Sequence, residues 1–475
     1  SQLPDYDEGY AYYNGGQTRG APTDVDYNPV FHRVPMSHET ATSDGERWRW
    51  MLAKAMELDP GRRFEVLSQY AGFLNHQFGV ETMADYGWFF MRAEDSSTKR
   101  DESGPYALES LGDHETIARL AVGIRRFNLP DDANHITLYR NIATEDRTGP
   151  YGHQAMNQLA QIYENRRQYE KAVTWWEKSI KAHGDNDNKW KQARIDQIVD
   201  NWGEFEPVMT HPAGERASVE FRFRNGRKAH FVAREVKVPE LLADVKDYLK
   251  SNPRTLDWEQ LEIQNIGYRL VQKKQEKYIG EQVAEWDLDL EPRPKHFDRR
   301  ITVETPLTKP GAYLLTGRME NGNVSRIIIW INDTVIVKKQ LDKAAYFFVA
   351  DAVTGIPIKK AHVEGFGYRV EGVDAVKNWG RHHNILTSGF AEFTDESGQL
   401  ILKPDTFKQD HQWVITATTD DGRLAYLGFM SAWYNPYYDA EYNERKVYVI
   451  TDRPVYRPAQ PVKFKFWVRH AKYDQ

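Results

Sequence analysis

Four short stretches carry side chains of the kinds that do chemistry. Asp185-Asn186-Asp187-Asn188 sets out oxygen ligands as the start of a calcium loop does, but Lys189 stands at the fifth position and no glycine follows at the sixth. A polar helix terminus is the better reading. Arg381-His382-His383 offers two imidazoles, yet no carboxylate or third histidine sits at helix or hairpin spacing nearby, so an exposed loop is expected. Gly365-Phe366-Gly367-Tyr368-Arg369 has two glycines without the third, or the strand-to-helix context, that phosphate binding needs; it reads as a bulge or strand bend. RRQYEKAVTWWEKSIK (166–181) interleaves aromatic and basic residues, as single-strand nucleic-acid binders do. Its aromatics fall at helical core spacing and its charges on the outer face, which describes a solvated helix surface. No Gly-x-Ser-x-Gly elbow, His-Glu-x-x-His or phosphate loop is present. With 69 acidic residues, close carboxylate pairs are inevitable and carry no signal. No catalytic, cofactor-binding or metal-ligating residue is assigned, and the chain reads as a non-enzyme.

The elements that would position any partner come from a chain of 475 residues, enough for two to four domains. Aromatics reach 13%, with 14 Trp and 26 Tyr, so the material for burial is present. A net charge of −6 gives no electrostatic case for nucleic acid. No apolar run approaches the ~18 residues of a membrane-spanning helix. Cysteine is absent, which excludes disulfides, thiol catalysis and cysteine-ligated metals within this chain. The compartment stays open, and because the chain begins at Ser1 the lack of a signal peptide says nothing.

Residues 1–44 are rich in Gly, Asp, Pro and Tyr without a period, and read as an irregular leader lying across its neighbour through the tyrosines. From 45 to 203 the pattern predicts helices. SDGERWRWMLAKAMEL opens with a cap at Ser43 or Asp44 and closes at Pro60-Gly61. RRFEVLSQYAGFLNHQF, HETIARLAVGIRRF and ANHITLYRNIA follow as further helices. In GHQAMNQLAQIYENRRQYEKAVTWWEKSIKAHGD, small residues at 160, 172 and 179 let two helices approach, with Tyr163 and Trp176 beside them. This unit resembles a tetratricopeptide repeat, whose period is ~34 residues. One repeat cannot bury its own face, so an α-helical repeat array is expected.

Beyond Trp202 the period becomes two. VEFRFR and RKAHFVAREV alternate around Asn225-Gly226, a hairpin signal, with Val219, Phe221 and Phe223 facing one side and Ala229, Phe231 and Ala233 answering. PELLADVKDYLK reads as a helical insertion, and Asn321-Gly322 joins a second hairpin. These define a β-rich domain over 207–338 that includes TVIVKK. From 339 to 440, strand pairs around Thr354-Gly355, Ser397-Gly398 and Asp421-Gly422 indicate a β-sandwich. VKFKFWV, within 441–475, reads as the opening of a third, truncated sandwich.

TDRPVYRPAQPVKF (451–464) resembles the motif opening a macroglobulin-like sandwich of the alpha-2-macroglobulin family. FVADAVTGIPIKKAHV, FTDESGQL and KPGAYLLTGR are similar to strand-turn units of the sandwiches before it. The resemblance spans about 207–475 and departs at Ala459, where the family usually has Gly. A helical array in front fits the large bacterial members. The resemblance implies multidomain α and β architecture and broad-spectrum endopeptidase inhibition by trapping, without an active site. It implies target proteases as partners of the whole protein, a further partner on the helical array, and export to the periplasm, cell envelope or exterior. A thioester needs a cysteine this chain lacks, and no bait segment is identifiable. The alternative is a cell-surface structural or adhesion protein using sandwiches as spacers.

Overall fold

The computed structural model describes residues 20–86, 107–208, 210–273, 275–341, 344–373, 383–432, 444–453 and 461–471. Helix α1 (Asp44–Leu58) starts where the Ser43 hydroxyl accepts the Glu46 N–H at 3.2 Å, while the Glu46 carboxylate takes the Thr42 N–H at 2.6 Å. After Pro60-Gly61 comes α2 (Arg63–Phe78). The helix predicted over 114–127 is instead a hairpin, β1 (Glu115–Leu120) and β2 (Gly123–Asn128). Two facts favour strands here. Gly123 sits at φ 121°, outside any helix, and five consecutive β1 residues are buried, so β1 is covered on both faces. The described part of the leader does cross its neighbour, but through Ala21, which bridges to Leu120, and Phe31, packed on Phe78 and Phe127; Tyr27 is exposed.

Asn134 then caps α3 (His135–Glu145), accepting the Ile136 and Thr137 N–H groups at 3.0 and 3.2 Å. Helices α4 (Pro150–Asn165) and α5 (Tyr169–His183) form the expected close pair, with Ala160, Tyr163, Ala172, Trp176 and Ser179 all buried, and α6 (Trp190–Val199) follows. The helix pairs do not run unbroken over 45–203, because the β1–β2 hairpin interrupts them.

The first layered unit comprises β3 (Trp202–Phe205), β4 (His211–Pro212), β5 (Ser218–Arg224), β6 (Lys228–Val236), helices α7 (Val238–Lys250) and α8 (Trp258–Leu261), β7 (Ile279–Asp289), β8 (Arg299–Glu304), β9 (Gly311–Met319) and β10 (Val324–Asn332). Its sheets run β4-β10-β9-β6-β7 and β3-β5-β8. Val219, Phe221, Phe223, Ala229, Phe231 and Ala233 all enter the core between them. Yet Asn225-Gly226 does not close a hairpin. β5 pairs with β3 and β8, β6 with β7 and β9, so the turn carries the chain from one sheet to the other. With the two sheets packed face to face, the Phe221 and Phe231 rings meet edge-on at 5.4 Å; were the strands side by side in one sheet, both would need a further layer to cover them. The Asn225 amide donates to the Ile198 and Asp200 carbonyls at 2.8 and 2.9 Å, fastening the turn to the end of α6. Asn321-Gly322 does join a hairpin, β9–β10.

The second unit contains β11 (Thr334–Leu341), β12 (Ala344–Asp351), β13 (His362–Gly372), β14 (His383–Phe393), β15 (Gln399–Leu402), β16 (Gln412–Thr418) and β17 (Leu424–Ser431). Its sheets run β11-β12-β15 and β14-β13-β16-β17. TVIVKK, read with the strands of 207–338, pairs with β12 in the sheet β11-β12-β15. The Thr354-Gly355 and Ser397-Gly398 turns again lead from sheet to sheet, while Asp421-Gly422 closes the β16–β17 hairpin. GFGYR is neither bulge nor bend: β13 keeps its register through it. A Cβ on Gly365 would enter the Phe390 ring, and one on Gly367 would come within 2.8 Å of Trp413. The glycines make room for core aromatics.

A third core lies between the two units. Val238, Leu241, Leu242, Val245 and Leu249 of α7 pack with Ile263, Ile266 and Tyr278, with Ala312 and Leu314 of β9, and with Phe366, Tyr368, Ile385 and Val414 of the second unit. Finally, β18 (Glu444–Thr451) pairs only with β19 (Phe464–Ala471) among the described residues. Ala459 and the Tyr-Arg-Pro turn lie outside the described residues.

Replacing Leu241, fully buried in α7, by Ala is expected to cost about 2–5 kcal/mol. Hydrogen exchange should accelerate in β9 and in β13 and β16 together; acceleration confined to one unit would refute a shared core.

Candidate protein-docking surface

Three of the four chemistry-bearing stretches lie wholly within the described residues, where their side chains and glycines make structural contacts. The Asp185 carboxylate accepts the backbone N–H groups of Asn186, Lys191 and Gln192 at 3.0, 3.2 and 2.9 Å, capping the start of α6. Its oxygens are spent on the backbone. Arg381 and His382 lie outside the described residues, and His383 opens β14. Among the described residues no group of three or more His, Asp or Glu is placed to hold a metal ion. In RRQYEKAVTWWEKSIK, Trp176 is core as expected and Lys178 lies over Trp175. Arg166 departs from the expected outer face: it is fully buried.

Arg166 anchors a polar hub. Its guanidinium donates to the Gly112 and Glu115 carbonyls at 3.1 and 2.9 Å, and burial lowers its pKa to about 10. Asp113 accepts from Arg140 at 2.7 Å, Lys171 at 3.0 Å and Tyr163 at 3.2 Å. Burial would raise its carboxyl, but the bonds from Arg140 and Lys171 prevail and hold it at about 2. The Gln168 amide donates to the Glu109 and Leu111 carbonyls at 3.2 and 2.7 Å. Together these stitch the loop before β1 to α3, α4 and α5. Beside them, His135 is fully buried with neither ring nitrogen hydrogen-bonded. Burial, then the Arg166 charge, lowers its pKa to about 3, so it packs as a neutral ring.

With the hub fixing one side, α2, α3 and α4 enclose a groove of about 490 Å³. Ser68, Gln69, Asn75 and His76 of α2 face Gln154 and Gln158 of α4, with Tyr139 of α3 and Glu81 completing it. Ser68 donates to Gln154 at 3.3 Å. The Asn75 amide donates to Glu81 Oε1, while Asn75 Oδ1 and Glu81 Oε2 are buried without a partner outside their own residues. Burial raises the Glu81 carboxyl, and pushes the Tyr139 phenol up to about 12. The groove was not read from the sequence. Its signal is a stripe of polar residues opened by a glycine at helical spacing, Ser68, Gly72 and Asn75 on one helix and Tyr151, Gln154 and Gln158 on another, running beside the apolar stripes.

No model of a protein family matches the chain, and neither does any curated protein. Among solved structures, the chain is similar to a crystal structure of native alpha-2-macroglobulin from Escherichia coli spanning domains MG0-NIE-MG1, at 14% identity and TM-score 0.32, over 48% of this chain and 64% of that one. A cryo-EM reconstruction of the native E. coli protein matches 57% of this chain and 16% of its own, at 14% identity and TM-score 0.26. The Yersinia pseudotuberculosis adhesin InvE matches 48% of this chain and 57% of its own, at 11% identity and TM-score 0.16. The chain thus spans less than two thirds of the first of these. Likenesses of this order fix neither a residue correspondence nor an activity.

His135 gives the helical region an acid sensitivity whose sign is fixed. Its pKa is depressed on folding, so its contribution is whole above the ordinary value of 6.5 and lost as pH falls toward 3. By pH 5 the loss is about 2 kcal/mol relative to neutral pH. His135→Phe should flatten the fall in denaturation midpoint between pH 7.5 and 5; an unchanged slope would show that the ring does not stay neutral.

Proposed function

We propose that this chain is an N-terminal scaffold portion of a bacterial alpha-2-macroglobulin-like protein that restrains endopeptidases by trapping them, without an enzymatic step. The supporting observation is the pair of consecutive two-layer strand units welded through α7, with the family-like motifs at 309–318, 348–363 and 393–400 falling on their strands and turns. We take the first sandwich to end at 332 and the second to start with β11, and β18–β19 to be the opening layer of a third. In this reading the helices, with their tetratricopeptide-like α4–α5 pair, supply a docking surface for a partner protein. The protein works outside the cytoplasm, in the periplasm, the cell envelope or beyond. No thioester is assigned to this chain, since it holds no cysteine, and no bait segment is assigned to it.

Trapping predicts a size-selective effect. When the natural full-length protein is incubated with several endopeptidases, cleavage of large protein substrates should fall while cleavage of short chromogenic peptides continues. Undiminished cleavage of both substrate sizes by every protease would overturn the proposal and favour a spacer or adhesion role.

A further inference from the structure

The groove between α2, α3 and α4 is lined largely by amides and hydroxyls, and the Glu81 carboxylate within it is half satisfied. We propose that it binds an extended peptide segment of a partner protein, seating a lysine or arginine side chain against Glu81.

Size and lining both suit a peptide. About 490 Å³ falls within the range of ligand-binding pockets, roughly 300–1,000 Å³. Gln69, Gln154 and Gln158 each offer a donor and an acceptor on a short tether, the complement of a backbone whose residues each present one N–H and one C=O. An apolar ligand would strip water from these amides and return nothing, at about 1–3 kcal/mol for each group left unpaired.

The charge selects the side chain. Of the acidic groups lining the groove, Glu65 is already held by Arg62 through two bonds of 3.0 Å. Glu81 has one oxygen taken by Asn75 and the other, Oε2, buried with no partner beyond its own residue. The groups that face it are Asn75 and His76 from α2, Tyr139 from α3 and Arg166 at the C-terminal cap of α4. Arg166 acts on it only through space, its donated bonds going to the Gly112 and Glu115 carbonyls. A buried carboxyl in this condition either holds a proton or stands underpaired. An arriving ammonium or guanidinium supplies the missing donor and favours the ionised form, so binding expels a proton. An anionic segment would meet Glu81 and Glu65 and be repelled.

The site deepens the docking role proposed above and rests on it, and it is tested by titrating the whole chain with acetylated, amidated hexapeptides of serine and glycine carrying one central variable residue. Calorimetry should give at least about tenfold tighter binding for central Lys or Arg than for norleucine or Glu, the worth of one charge-assisted bond. Repeating the titration in buffers of different ionisation enthalpy should reveal proton release. Glu81→Gln keeps the shape and the Asn75 bond, and should abolish the cation preference with the circular dichroism unchanged. Gln154→Ala with Gln158→Ala should weaken all the peptides alike. Equal affinity for Lys and norleucine, a preference that survives Glu81→Gln, or no binding of any peptide at ~1 mM overturns the site. A groove that stays empty in a protein that still traps proteases leaves trapping standing; a filled groove in a protein that traps nothing overturns trapping alone.

Discussion

The arrangement of the β half depends on one helix being buried from two sides. α7 presents Val238, Leu241, Leu242, Val245 and Leu249 to a core that takes side chains from both sandwiches. Each such burial contributes roughly 1.5–3 kcal/mol, and the share made against Phe366, Tyr368, Ile385 and Val414 is lost if the two units separate. Polar contacts then fix the direction. Lys246 meets Glu364 at 2.9 Å, the Gln264 amide donates to the Phe429 carbonyl at 2.8 Å, and the Tyr426 hydroxyl donates to the Ile263 carbonyl at 3.1 Å. Area supplies the adhesion here, and these bonds supply the angle.

The helical half is held by different means. Its hub of Arg166, Asp113, Arg140, Lys171 and Gln168 places charge in or near the interior, and each member is anchored to a backbone carbonyl or an opposite charge. Such a network ties a loop to three helices at fixed angles, but an orphaned member becomes a cost. His135 shows the consequence, since an imidazole without partners holds its place only while uncharged. The two halves meet through polar links and an aromatic contact. The Asn201 amide donates to the Glu320 carbonyl at 2.6 Å, Asn225 reaches back to the end of α6, and the Tyr169 and Phe297 rings meet edge-on at 5.7 Å. A joint of this kind orients the helical region without an apolar core of its own.

What could be read in the sequence follows from what a residue pattern encodes. Alternation of apolar residues tells which side of a strand is buried, and Phe221 and Phe231 are both core as read. A turn dipeptide tells where the chain reverses. Neither tells which strand lies alongside, because stacking and pairing bury the same alternate residues. Hence Asn321-Gly322 and Asp421-Gly422 close hairpins while Asn225-Gly226, Thr354-Gly355 and Ser397-Gly398, with the same local signal, cross between layers. The β1 segment failed for the opposite reason: buried on both faces, it lost its alternation and imitated a helix. The groove escaped because its amides are common residues that acquire meaning only when α2 and α4 bring them face to face.

The same logic bears on β18–β19. Its register puts Val447, Val449, Phe464, Phe466 and Val468 on one face, and Tyr448, Ile450, Lys465 and Trp467 on the other. All of these are at least a third exposed, save that Lys465 also lies over Trp467 at 5.1 Å. In both two-layer units a strand with such a face is covered by a sheet reached through a crossover turn, as β6 covers β5. A two-stranded ribbon is marginal alone in water, and its open edges invite pairing. Phe221 and Phe231 show what such a face contributes once it is covered: burial of alternate residues is what stabilises a strand of this composition.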